Sequence, residues 1–310
     1  MNLSSINYFI VLAKELSFTK AAERLHITQQ SLSAHIAGLE REFGVRLLLR
    51  SVPLELTYAG RIYLQYAMEF QRRLDAMRHE LNDVANNQRG LLKIGIAATR
   101  GRRILPALIE EFQRVYPQID IRLLEESTDS LQQSLMDGEI DLAIANFPEE
   151  LPGVELDDFY QEEVALLISR SLLQKLYGEN AGQVLRTVAQ GDLSPLETCP
   201  FLLNVQQDIA GRIGRSLLKR SGIILNPKLE SATTGTILDI CAKGVGACFC
   251  PDTLIKTALD EEQLAGIEMI RFGEDARYWI RFGYRRESYH WSVIKGFMDL
   301  GKRIIGRIKG

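Results

Sequence analysis

The chain has 310 residues, 46% of them apolar and 25% charged, with a formal net charge of −3. That composition describes a folded chain with two or three cores and excludes an intrinsically disordered one. Residues 1–60 carry six lysines and arginines against five acids and residues 61–89 five against four, so the acidity lies in the remainder, and a slightly basic head on an acidic body is compatible with nucleic-acid binding by the head.

Leu3, Ile6, Phe9, Ile10, Ala13 and Leu16 have the three-to-four spacing of a helix with one buried face. The apolar run Tyr8 to Ala13 stops at Lys14, and no basic n-region precedes it. It is too short for a signal peptide or a membrane span, which predicts a cytoplasmic protein with no membrane partner. Ser17 is placed to cap a short helix, Phe18 to Leu25, whose Ala21-Ala22 pair lets a neighbour approach closely. Thr28 caps a third helix running to about Phe43. Leu32, Ile36, Leu39 and Phe43 form its buried stripe, and Gln29, Gln30, Ser33, Ala34 and Ala37 face the other way. Short polar side chains at the start of an exposed helix face suit a major groove, where glutamine pairs with adenine and Ala34 can approach a thymine methyl. The helix N-terminus with Thr28 suits a phosphate. Taken singly, each is more readily read as an ordinary solvated residue. The ordered set of short helix, turn and two-faced helix favours the groove. Val45 to Leu49 and Leu54 to Leu56, separated by Val52-Pro53, have the pattern of a two-stranded wing.

Phe18-Thr19-Lys20-Ala21-Ala22, the run from Leu25 through Ser33, Leu39 to Gly44, Arg50 and Leu56 to Gly60 together resemble the LysR-type transcriptional regulators. The spacing matches across about sixty residues without a gap. The resemblance implies a winged helix-turn-helix on double-stranded DNA, with Gln29, Gln30, Ser33 and Ala34 at base-contacting positions. It also implies Thr28, Ser31, His35, Arg50 and Thr57 on or near phosphates. Gln30 stands where the family often has proline, and Leu49 where it often has an aromatic. The wing, Ser51 to Leu56, lacks the usual basic residue and carries Glu55, so a shallow salt dependence is expected.

From Tyr58 to Gln88 there is no proline and, after Gly60, no glycine. Tyr63, Ala67, Phe70, Leu74, Met77, Leu81 and Val84 step alternately by four and three, the seam of a helix that pairs with another over about 45 Å. Packing against its own chain is the alternative. In the family this helix joins two chains. Asn86 to Gly90 has the composition of a hinge. The domains expected are 1–58 for the head, 59–89 for the linker helix and hinge, and 90–310 for the body.

After Gly90, short apolar strands alternate with helices: strands at Leu91–Ala97, Ile119–Leu124 and Asp141–Ala145, helices at Ile104–Val115 and Leu131–Met136. A second such unit begins at Val164–Ile168 and continues through Phe201–Val205, Leu229 and Val245–Phe249. Strands return between Ile267 and Tyr284, and a terminal helix spans Trp291 to Ile308. This predicts an α/β fold with a largely parallel sheet, in two hinged lobes, lobe I about 90–161 with 269–310 and lobe II about 162–268. Leu105-Pro106, Phe112, Tyr116-Pro117, Gly138 to Ile144, and Gly244-Val245-Gly246 followed by Pro251 resemble the LysR effector domain, which is similar to periplasmic solute-binding proteins. Cys248 and Cys250 share a strand face and, with Cys199 and Cys241, suit buried structural thiols; a redox role for Cys199 is the alternative. No metal spacing and no cofactor motif is present.

Ligands of open α/β sheets sit at the carboxyl ends of strands. Those ends hold Ala98, Thr99 and Arg100, then Ser127 and Thr128, then Asn146, with Val205 and Thr233 from the second lobe. By resemblance, Thr99 and Thr128 occupy positions that commonly hydrogen-bond an effector carboxylate. Arg100, Arg102 and Arg103 open a helix against its dipole, so something negative should offset them: Glu125 and Glu126, or an anionic effector. The leading expectation is a transcription factor that binds an inverted repeat as a homodimer, or as the homotetramer frequent in the family, switched by a small anionic metabolite. An enzyme is disfavoured because His26, His35 and His79 precede the body, leaving His290, and no nucleophile elbow or phosphate loop appears. A constitutive DNA-binding scaffold is the third reading. Lys302, Arg303, Arg307 and Lys309 suit the C-terminal end of a helix and are not assigned to DNA.

Overall fold

The computed structural model describes residues 2–51, 53–85, 89–286 and 291–309, without the side chains of Ala98, Thr99, Arg102, Arg103, Lys256, Thr257, Arg307, Ile308 and Lys309. The core of the expected hinge, residues 86–88, and His290 therefore lie outside the described residues. Two compact units emerge, residues 1–87 with 289–291, and residues 88–288 with 292–310.

Three capped helices make the head. Asn2, Ser17 and Thr28 stand before α1 (Leu3–Glu15), α2 (Phe18–Leu25) and α3 (Gln29–Phe43), and each side chain accepts a hydrogen bond from a first-turn amide. Such caps satisfy donors that the helix leaves open. Phe9, Leu12, Ala21, Ala22, Leu32, Ile36 and Leu39 close the core with Leu47 and Leu48 of the wing. The wing strands β1 (Leu48–Leu49) and β2 (Glu55–Leu56) are only two residues each, paired antiparallel. Glu40 of α3 fastens them by accepting from the Leu47 and Leu48 amides at 2.9 and 3.3 Å. Phe43 departs from expectation. It is 46% exposed, at the last turn of α3, where its ring meets Tyr63 edge-on instead of entering the core.

The linker helix α4 (Tyr58–Val84) has 27 residues, or about 40 Å. Its expected seam divides. Ala67 is buried against Ile6 and Ile10, and Tyr63 packs on Phe9, so these two serve the head's own core. Phe70, Met77, Leu81 and Val84 are exposed, and Leu74 is half-buried. Gly60 is required where α4 crosses the wing, because a Cβ there would overlap the Leu47 carbonyl oxygen.

The second unit runs β3 (Gly90–Ala97), α5 (Ala98–Val115), β4 (Ile119–Glu126), α6 (Thr128–Asp137), β5 (Leu142–Ala145) and β6 (Val154–Ser169). It continues with α7 (Arg170–Tyr177), α8 (Ala181–Ala189), β7 (Phe201–Asn204), α9 (Ile209–Arg220), β8 (Leu229–Ser231), α10 (Thr234–Ala242) and β9 (Ala247–Pro251). The last elements are α11 (Asp252–Ala258), α12 (Glu261–Ala265), β10 (Ile267–Arg271), β11 (Arg277–Arg285) and α13 (Ser292–Lys309). Strand order is β4-β3-β5-β11-β6-β9-β7-β8, with β10 also on β6. The sheet is mixed, not largely parallel. β3 pairs parallel with β4 and β5, and β7 with β8 and β9. β6 and β11 run antiparallel to their neighbours because the chain leaves the first lobe on one and returns on the other. β6 is also longer than its apolar half, Val164–Ile168, suggested. Its first ten residues include five acids and contain no apolar run.

Alternation along β6 sorts two cores. Val164, Leu166 and Ile168 pack with α7, α8 and α9, while Ala165 and Leu167 pack with α10 and α11. Cys248 and Cys250 share the second core with Cys241, as their spacing predicted, and all four cysteines are free and buried. Replacing Gly60 with alanine should destabilise the head by about 1–3 kcal/mol through this overlap. Urea unfolding of the full chain, followed through head-specific amide exchange, measures it.

Candidate nucleic-acid interface and ligand cleft

On α3 the buried stripe Leu32, Ile36 and Leu39 fixes which side faces out. Gln29, Gln30 and Ala34 are exposed, and Ser31 and Ser33 half-buried beside them. The Thr28 hydroxyl is occupied as the cap, 3.1 Å from the Ser31 amide. His35 is turned toward α1, with Nδ1 2.8 Å from the Ser5 hydroxyl and its ring edge-on to Tyr8. Thr57 donates to the Arg46 carbonyl at 2.7 Å and accepts from the Gly60 amide at 2.9 Å. Its hydroxyl therefore ties the wing to α4. Arg50 extends from the wing, half-exposed, with Nη2 3.7 Å from Glu40. Gln29 and Gln30 present hydrogen-bonding groups and Ala34 a methyl; Thr57 and His35 brace the elements that carry them.

At the other end of α3 is an apolar groove of about 620 Å³, whose lining includes Phe43, Val45, Ile62, Tyr66 and Phe70. Sequence spacing missed it because Phe43 was assigned to the core and Ile62 and Tyr66 fall off the four-three seam.

In the second unit a cleft of about 760 Å³ opens between the lobes. Thr128, Asp129 and Gln132 of α6 and the segment Asn146 to Glu149 form one wall. Gln206, Gln207, Ile209 and Arg212, around the start of α9, form the other, and Arg277, Tyr278, Trp279 and Arg281 of β11 the floor. Thr128 donates to Asn146 Oδ1 at 2.8 Å, which leaves the Asn146 amide donor to the cleft. Arg281 is held by Asp158 at 2.7 Å and by the Phe147 carbonyl at 2.8 Å, and Arg277 by Glu274 and Glu163. Ser127 caps α6, accepting from the Ser130 amide at 3.2 Å. Val205 and Thr233 do not line the cleft, and the side chains of Ala98 and Thr99 lie outside the described residues. Arg212, Trp279 and the β11 arginines escaped the sequence reading. Arg212 was traceable, since it lies one turn beyond the Asp208 cap of the helix after β7.

Arg100 requires a correction. It does not pair with Glu125 or Glu126, and it is 3% exposed, out of a solvent anion's reach. Its Nε and Nη2 lie 3.1 and 3.0 Å from Oε2 of Glu162, a residue of β6. Nη2 also donates to the Tyr278 hydroxyl at 2.9 Å. Glu162 accepts further hydrogen bonds from Tyr160 at 3.0 Å, from Thr253 at 2.7 Å and from Tyr278. One buried carboxylate thus joins α5, β6, β11 and α11. Burial alone would raise its pKa, but the Arg100 charge and these donors hold it below the usual carboxylate range. Burial pushes the Cys199 thiol up to about 12, which opposes a thiolate and the redox alternative. Among the described residues no group of His, Cys, Asp or Glu could hold a metal ion, and no helix is long and apolar enough to cross a membrane.

Glu162→Gln should destabilise the second unit by about 3–5 kcal/mol by leaving Arg100 buried without its counter-charge. Tyr278→Phe should cost about 1–3 kcal/mol by removing the hydroxyl that donates to Glu162 and accepts from Arg100. Because the folded pKa of Glu162 lies below its unfolded value of about 4.3, its contribution is fully present above that value and disappears as pH falls through the folded pKa. Urea unfolding from neutral pH downward checks both points: the gap between wild type and Glu162→Gln should stay constant near neutrality and narrow only in acid.

Two family models match the chain. "Bacterial regulatory helix-turn-helix protein, lysR family" covers residues 3–61, and "LysR substrate binding domain" covers residues 85–303. The chain is 28% identical over 310 residues to the uncharacterized HTH-type transcriptional regulator YcgK of Bacillus subtilis, covering 97% of this chain and 94% of that one. It is 30% identical over 277 residues to a probable RuBisCO transcriptional regulator of Thalassiosira pseudonana, covering 87% and 88%. Among solved structures, a full-length OxyR variant from Pseudomonas aeruginosa superposes with a TM-score of 0.72 at 24% identity, over 97% of this chain and 95% of that one. Full-length CbnR in complex with its target DNA superposes with a TM-score of 0.61 at 23% identity, over 98% and 99%.

Proposed function

The chain belongs to the LysR family of transcriptional regulators, DNA-binding proteins with an effector-binding domain, and we propose that it reads an inverted-repeat operator as a homodimer under the control of a small anionic metabolite. The observation that carries the DNA reading is the face of α3 on which Gln29, Gln30 and Ala34 stand exposed above a sealed apolar stripe. Gln29, Gln30, Ser33 and Ala34 contact base edges, and Thr28, Ser31, His35, Arg50 and Thr57 sit on or near phosphates. With Thr57 and His35 committed inside the head, they act chiefly by placing the helix and wing.

The second copy covers the groove of Phe43, Val45, Ile62, Tyr66 and Phe70 and the stripe Met77, Leu81 and Val84 beyond it. A row of large apolar side chains this exposed is unfavourable in water unless another surface meets it. Pairs of dimers form the homotetramer. The effector occupies the cleft, touching Thr128 and Asn146, with Ala98 and Thr99 from the start of α5. Its anionic group meets Arg212, which has no ion-pair partner among the described residues, rather than the neutralised Arg100. Ligand binding acts through differential affinity for two lobe arrangements, which shifts how the protein covers its operator.

Phe70→Asp should weaken self-association about 10–100-fold by placing a charge in the apolar contact, and sedimentation at graded concentrations reads it. A footprint on the protein's own upstream DNA, repeated with fractionated cell metabolites, tests the whole reading. Protection of an inverted repeat that shortens or moves with one fraction is the expected result. Protection indifferent to every fraction would leave a constitutive DNA-binding scaffold, and no protection would reopen the question of what α3 presents.

A further inference from the structure

We infer that the effector is a zwitterion of the α-amino-acid class, with its carboxylate on Arg212 and its ammonium between Asp129 and Glu149. This rests on the reading of the inter-lobe cleft as the effector site with the ligand's anionic group on Arg212, and it adds an ammonium group to that ligand.

Uncommitted charges in the cleft are segregated by wall. On the α6 wall, Asp129 and Glu149 are exposed and engage no other described residue in a hydrogen bond or ion pair. Facing them across the cleft, Arg212 is exposed and likewise unengaged. The other two arginines of the lining are neutralised, Arg281 by Asp158 and Arg277 by Glu274 and Glu163. Among the described residues, the cleft therefore offers a ligand one free positive group from the second lobe and two free negative groups from the first.

A simple anion satisfies only half of this. Placed at the α6 N-terminus, a carboxylate would find the helix dipole already offset by Asp129 in the first turn, and would face two like charges. Placed on Arg212 without an ammonium, it would leave Asp129 and Glu149 confronting the incoming negative charge as the lobes close. A monocation has the converse defect at Arg212. A ligand with both charges a few bonds apart answers both walls and gains from closure, which draws oppositely charged protein groups onto it. The Asn146 amide and the side chains of Gln206 and Gln207 add neutral hydrogen-bonding capacity, and Trp279 on the floor gives an apolar surface for the ligand's side chain.

Thermal unfolding of the full chain in the presence of each proteinogenic amino acid at millimolar concentration tests this, since a ligand that binds only the folded state raises Tm. For any amino acid that does so, titration is repeated with the same molecule lacking its amino group and with the one lacking its carboxylate. The expected result is one amino acid, or a few of one shape, binding at least about tenfold more tightly than either relative. Asp129→Asn should weaken the amino acid but not its amino-free relative, while Arg212→Gln should weaken both. If the amino-free acid binds as tightly as the amino acid and Asp129→Asn changes nothing, the zwitterion is overturned while an anionic effector stands. If no amino acid raises Tm, the zwitterion is overturned as well, and the metabolite footprint separately decides whether the cleft takes any effector.

Discussion

A buried charge allows little slack in the structure around it, and the pair Arg100–Glu162 sets that constraint here. Neither group is hydrated, so the guanidinium must keep its carboxylate and the carboxylate must keep its remaining donors. Those donors come from Tyr160, Thr253 and Tyr278, on three elements separated by long stretches of sequence. The start of α5, the two crossing strands and α11 are thereby held in one arrangement at the base of the cleft. Tyr278 belongs both to this network and to the cleft floor, so the cleft wall continues into the charge that anchors the lobes.

The head follows a different logic, in which almost every interaction is local. Caps at Asn2, Ser17 and Thr28 settle where each helix begins, and spacing along each helix settles which side is buried. These signals are short-range, so the three helices, the small wing and the exposed residues of α3 were legible in the residues themselves. Phe43 shows the limit. Its spacing places it on the buried stripe, but α3 outlasts the core it packs on, and the last turn runs past into the apolar groove. Tyr63 and Ala67 show the same limit from the linker side, because a four-three seam does not say whether the surface it meets belongs to the same chain.

The body was legible as alternating α/β and illegible at its centre. Apolar runs reveal strands buried on both faces, such as β5 and the second half of β6. The first ten residues of β6 are rich in acids because these pair with cations at the waist: Asp157 with Lys302, Asp158 with Arg281, Glu162 with Arg100. A strand whose side chains are matched by distant charges carries no hydrophobic signature. For the same reason sequence proximity offers Arg100 only Glu125 and Glu126 at the nearest strand end, or an anionic effector, and not Glu162. Sequence proximity was the wrong guide to a contact spanning 62 positions.

The sixteen residues of β6 pass from one lobe to the other without a break, and β11 runs beside them with a single register shift between Ile280 and Arg281. A joint of this kind is a flexure rather than a swivel. Two paired strands bend and twist together, so one lobe turns against the other only by deforming this ribbon. A molecule that draws them together does mechanical work on that ribbon and holds the bend only while bound. The joint between the lobes is therefore a property of two whole strands and not of a single loop residue.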